Sequence, residues 1–315
     1  MTYRAPVRDQ MFVLRDVLNI AQYADLPGFA DASVELVEQV LTEGAKFCEE
    51  VLAPLNGVGD KQGCVWSPDH TVKTPDGFKA AYQAMVDGGW PAIGAEPEFG
   101  GQGLPAVVTL AYSEMSSAAN MAFAMYPGLT HGCYSAILAG GSDEQKALYL
   151  PKLATGQWGG TMNLTEPHCG TDLGLLRTKA VPQADGSYRI TGQKIWISGG
   201  EHDLAENIVH LVLARIEGAP AGVKGISLFI VPKHIPDAQG NPGARNSANC
   251  VGLEEKMGIH GSATCVMSYE DATGWLIGEE NNGLKIMFVM MNEARLGVGL
   301  QGLAQGEAAY QGAVA

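Results

Sequence analysis

TMNLTEPHCGTDLG, Thr161–Gly174, and GQKIWISGG, Gly192–Gly200, are β-rich stretches inside a chain whose two ends read as helix. Around them lie SYRI, NIVHLVLA, GISLFIV and TCVMSYE, separated by glycine, proline or acidic turns, so residues 159–280 read as a small antiparallel β domain. Residues 1–158 read as an N-terminal helical domain. There Leu36, Val37, Val40, Leu41, Phe47, Val51 and Leu52 recur at steps of three and four, which predicts a helix with one buried face. Thr74 as N-cap and Pro75 at the first helical position predict a second helix with the stripe Phe78, Tyr82 and Met85, stopping near Gly88. Ser142 and Gln145 have the spacing of a capping box that starts another, ending near Gly156. After Gly283 the helical period returns through Ile286, Met287, Met290 and Met291 and runs to Ala315 with no stop signal. Residues 281–315 are therefore expected to be the first helix of a C-terminal helical bundle, cut in mid-course. The fold class is α+β and multidomain.

Composition removes several functions. The chain has 34 acidic and 20 basic residues among 315 and a formal charge of −14, so its field opposes phosphate backbones and anionic lipid, and nucleic acid is not expected as a partner. A phosphate-bearing cofactor stays open, because backbone N–H groups and a few cations hold phosphate inside acidic proteins. The six cysteines, at 48, 64, 133, 169, 250 and 265, form no CxxC pair, and His168, His202, His210 and His260 have no carboxylate spacing of a metal site. Reduced thiols, no metal and no membrane span fit a cytoplasmic protein. No GxGxxG lies between a strand and a helix, so a dinucleotide would have to be held by loops and strands of the β domain.

The two opening segments together resemble the flavin-contacting signatures of the acyl-CoA dehydrogenases. WPAIGAEPEFGGQGL, Trp90–Leu104, is similar to that family's PEEYGGxG loop, and KMGIHGSATCVMSYED, Lys256–Asp271, to its late β-domain stretch. The opening YRAP and the GTDLGLLRTKA run resemble a longer bacterial branch that includes 3-methylmercaptopropionyl-CoA dehydrogenases. The resemblance covers nearly the whole chain. It implies FAD as cofactor and oxidation of an acyl-CoA thioester to its trans-2-enoyl-CoA. It also implies an electron-transfer flavoprotein as acceptor and a homodimer or homotetramer. A flavin monooxygenase or oxidase of the same architecture, or a non-catalytic binding or assembly paralogue, remains an alternative.

Chemistry explains the residue types. Reduced flavin gathers negative charge near N1 and its C2 carbonyl, so donors placed there favour reduction. Thr165 ends an extended stretch before Pro167 turns the chain, and the matching threonine of the family supplies such donors. Gly170 and Thr171 offer backbone N–H groups and a hydroxyl for the pyrophosphate of FAD or the pantetheine of the thioester. Period-two alternation sets Trp196 and Ser198 on one side of a strand. The resemblance lays the Trp196 indole beside the isoalloxazine and brings the Ser198 hydroxyl to N5. It also adds Met162, Leu164 and Ile197 to the cofactor set, and Thr171, Asn292 and Arg295 to the substrate set. In some relatives a glutamate on this last helix is the base, but that position is Ala294 here, and Glu293 lies about 100° round the helix. The base is then expected beyond Ala315, and the chain as given is expected to be inactive. His168 and Cys169 read as packing residues.

Overall fold

The computed structural model describes residues 3–315. A short helix α1 (Val7–Met11) precedes α2 (Val34–Phe47), which passes through a π-helical turn at Cys48–Leu52 into α3 (Ala53–Gln62). Ser33 starts α2 by accepting the Leu36 N–H, and Val37, Leu41, Cys48 and Leu52 are sealed in the helical core, whereas Leu36 faces outward. A two-stranded ribbon, β1 (Val65–Trp66) and β2 (Val72–Lys73), leads to α4 (Phe78–Asp87). Its stripe of Phe78, Tyr82 and Met85 is buried as the spacing predicts.

The start of α4 differs from the sequence expectation. Thr74 does not cap it. Pro75, Asp76 and Gly77 form a turn, with Phe78 N–H bonded to Pro75 O and Gly77 left-handed, and the helix begins at Phe78. The Thr74 hydroxyl and N–H instead donate to Asp203 Oδ1, at 2.7 and 3.1 Å. The long α5 (Ala106–Gly140) bends at the fully buried Asn120, and α6 (Asp143–Ala154) opens with both bonds of the Ser142–Gln145 capping box.

The β region holds β3 (Trp158–Asn163), β4 (Lys179–Pro182), β5 (Tyr188–Ser198), β6 (Asn207–Ile216) and β7 (Ser227–Pro232). A hairpin of β8 (His234–Pro236) and β9 (Pro242–Arg245) follows, then β10 (Ala248–Leu253) and β11 (Thr264–Ile277). The sheet order is β10-β11-β5-β4-β6-β3, and β7 pairs with both β11 and β6, so five strands close into a ring. It is not purely antiparallel as expected: β3 and β4 both run parallel to β6. Long connections between these strands let them return in the same direction. The continuous burial of β6 has a period-two cause. Val209, Leu211 and Leu213 join a core shared with α5 and α6, while Val212 and Ala214 fill the ring.

Helix α7 (Gly283–Val314) lies along α5, which accepts it through small residues. A Cβ at Gly132 would stand 2.8 Å from Met290 Cγ, and one at Gly140 would stand 2.7 Å from Ile286 Cδ1. Ile286, Met287 and Met290 are buried there, and farther along Gln305 donates to Ser117 O. No helix among the described residues is long and apolar enough to cross a membrane, and all six cysteines are free thiols.

Candidate functional site

The two signature segments are neighbours in space. Ile195 N–H donates to Thr165 O at 2.9 Å, so the end of the first segment runs against β5. Glu166 and Cys169 close a tight turn by bonding each other's main chain in both directions. Gly170 then passes close to Thr165, where an added Cβ would stand 3.2 Å from Thr165 Cγ2. The absence of a side chain at 170 leaves the Thr165 hydroxyl uncovered from that direction. Thr165 is half-buried, and Gly170 and Thr171 are exposed.

Beneath this turn lies an ion pair that the sequence reading missed. Lys194 is fully buried, and its Nζ donates to Leu164 O and to Glu166 Oε1, each at 2.9 Å. Glu166 also accepts Arg177 N–H, Thr178 N–H and the Thr178 hydroxyl. Burial opposes charge on both groups. It pulls Lys194 down to about 8. For Glu166 the same burial is outweighed by the Lys194 charge and the donated hydrogen bonds, which hold its carboxyl below the usual range. The available signal was a lysine inside the apolar KIWIS strand together with the single acid of the TEP turn. Possible ligand atoms of Glu166, His168 and Cys169 fall within 4.8 Å of one another. The Glu166 oxygens, however, are engaged by these donors, and His168 Nε2 sits 3.0 Å from Leu175 O. His202 and His210 are pushed down to about 3 by burial, so both are neutral interior groups at neutral pH.

Along β5 the expected alternation is broken by a bulge. Lys194 pairs with Met267 and Ile197 with Cys265, so two residues, Ile195 and Trp196, face one on β11. Trp196 takes a left-handed φ of 61°, uncommon for a bulky residue. Its side chain is 52 % exposed, which removes the ordinary reading of a core tryptophan. The bulge puts Lys194 and Ile197 in the interior and Trp196 outside it. Ile197 is 2 % exposed and packs in the ring core, so its side chain is withdrawn and only its main chain could meet a ligand. Ser198 is half-buried opposite Thr264.

On β3 the alternation holds. Thr161 and Asn163 turn into a buried polar chain with His210 and Tyr269, while Met162 and Leu164 pack toward the helices. Met162 lines a cleft of about 360 Å³ with Met291, Ala294, Arg295 and Val298 of α7. Met162 and Arg295, placed by the sequence reading in the cofactor and substrate sets, thus share one cleft. Arg295 donates to Asn292 Oδ1 at 2.8 Å and stands 5.3 Å from the Phe288 ring centroid, which ties Asn292 to the cleft through Arg295. Ala294 faces the cleft. Glu293 does not line it; its carboxylate lies 3.9 Å from His131 Nε2 on α5.

Residues 36–157 match the family model of the acyl-CoA dehydrogenase N-terminal domain, and residues 161–272 match that of the middle domain. The chain belongs to the acyl-CoA dehydrogenases. It is 49 % identical over 314 residues to 3-methylmercaptopropionyl-CoA dehydrogenase of Ruegeria pomeroyi, covering all of this chain and 53 % of that protein. The butyryl-CoA dehydrogenase of Megasphaera elsdenii superposes with a TM-score of 0.73 at 26 % identity, over 88 % of this chain and 67 % of the other. A Bacillus anthracis acyl-CoA dehydrogenase complexed with FAD gives 0.70 at 28 % identity, over 87 % and 42 %. The chain spans about half the length of the curated acyl-CoA dehydrogenases it matches. The order helix, β ring and helix is the family's fold.

Proposed function

We propose that this chain forms the FAD- and thioester-binding part of an acyl-CoA dehydrogenase that introduces a trans α,β double bond. The observation that carries the reading is the junction of Thr165 with Ile195, which joins the two flavin signatures into one surface. Two features support FAD there: an exposed indole on left-handed backbone at Trp196 and a side-chain-free approach at Gly170. FAD would supply the hydride acceptor for the substrate β-carbon. Thr165 would donate to the pyrimidine edge, Ser198 to N5, and Trp196 would cover the ring. Met162 and Leu164 would pack beside it. Gly170 and Thr171 would hold pyrophosphate or pantetheine, and Asn292 and Arg295 would orient coenzyme A.

The likeness to the Ruegeria protein favours a 3-methylmercaptopropionyl-CoA or similar short acyl thioester. The same reading takes an electron-transfer flavoprotein as acceptor, a homodimeric or homotetrameric assembly and a cytoplasmic location. Titrating FAD into the chain and into Thr165→Val tests it. Oxidised flavin is neutral at that edge, so loss of the bond, about 0.5–1.5 kcal/mol, should weaken affinity about 2- to 12-fold. Equal affinities would remove Thr165 from the site.

A further inference from the structure

Lys194 has no part in the roles assigned above. A buried ion pair is a weak source of stability, since apolar residues of similar volume replace such pairs at little cost. What sets this pair apart is where its bonds go. Lys194 holds the residues on both sides of Thr165, namely the Leu164 carbonyl and the Glu166 carboxylate, while its neighbour Ile195 holds Thr165 O. Residues 164, 165 and 166 are thus each tied to 194 or 195, the two residues that immediately precede the exposed Trp196.

We propose that Lys194, acting with Glu166, is a positioning residue for the flavin: it fixes Thr165 against the Trp196–Ser198 segment so that donors from both signatures address one ring. The inference rests on the FAD reading above. Both groups carry charge at neutral pH, since Lys194 is drawn down only to about 8 and Glu166 is held low. With Nζ and the carboxylate bonded at 2.9 Å, the buried pair acts as a staple at neutral pH.

The test is a double-mutant cycle in FAD affinity, followed by visible absorbance, with circular dichroism and thermal melting as controls on the fold. Glu166→Gln/Lys194→Met removes both charges, so neither is left buried alone. Its FAD affinity should fall about 2- to 12-fold, the range of the Thr165 bond to the neutral ring that it would misplace. Thr165→Val should then cost less than about half the fold-loss it causes in the unaltered chain, because coupled residues are non-additive. Wild-type affinity in the double variant, or an equal Thr165→Val cost in both backgrounds, overturns the proposal. If the double variant does not fold, Glu166→Gln alone replaces it in the cycle, and failure of both to fold assigns the pair to stability and also overturns it. A chain that binds no FAD at all sinks the functional reading together with this one, whereas saturable FAD binding with additive effects sinks this one alone.

Discussion

Ala294→Glu should create a proton-abstracting group where the cleft has none. The lining of Met162, Met291, Ala294, Arg295 and Val298 carries no carboxylate, and Glu293, one residue round α7, is turned to His131. A positioned general base contributes about 10²- to 10⁴-fold, which sets the expected gain. The new carboxyl would be pushed up by the apolar walls and pulled down by the Arg295 guanidinium, so the rate should rise with pH and level off as the glutamate ionises. The assay is anaerobic mixing of the FAD-loaded chain with acyl-CoAs of several lengths, following loss of the flavin's visible absorbance. The unaltered 315-residue chain and Ala294→Gln should bleach near background, Ala294→Glu should bleach faster, and Glu293→Gln should change nothing. Fast bleaching by the unaltered chain that vanishes in Glu293→Gln, or equal rates for Ala294→Glu and Ala294→Gln, would refute the reasoning.

Two further outcomes concern backbone and packing. At Trp196 the usual strand ranking should invert: Trp196→Gly should be more stable than Trp196→Ala, since a left-handed backbone costs an L-residue about 1–2 kcal/mol, more than the roughly 0.5–1 kcal/mol by which glycine is normally inferior. Urea melts of the two variants decide it, and alanine the more stable would show that the bulge relaxes. On α5, Gly132→Ala should destabilise by about 1–3 kcal/mol through its clash with Met290. Gly128→Ala, with open space around it, should be neutral or stabilising by up to about 1 kcal/mol. Melting curves that rank the two the other way would contradict the α5–α7 packing.

What could be read from the sequence is what local chemistry decides. The Ser142–Gln145 box and the Phe78, Tyr82 and Met85 stripe depend on neighbours a few residues away, and both stand in the fold. Thr74 was misread because its partner, Asp203, lies 129 residues on, and the Pro-Asp-Gly turn won the local competition. The parallel pairing of β3 and β4 with β6 follows from long connections that no periodicity records. Within the candidate site, Thr165, Trp196 and Ser198 were singled out by resemblance to the family's signatures, and their segments lie side by side through the Ile195–Thr165 bond. The bulge that withdraws Ile197 and the buried Lys194–Glu166 pair arise from strand pairing across the ring, so they became visible only with it. The Ala294 position was legible by counting from Arg295, and its place in the cleft wall depends on how Met290 and Ile286 seat α7 on α5.

Titration of FAD into the chain and into Trp196→Phe, following tryptophan fluorescence and flavin absorbance together, tests the central claim most directly. The account predicts saturable binding to the chain, with part of the quenching lost in the variant and a weaker affinity there. Identical quenching and affinity in the two proteins, or no saturable binding to either, would contradict it.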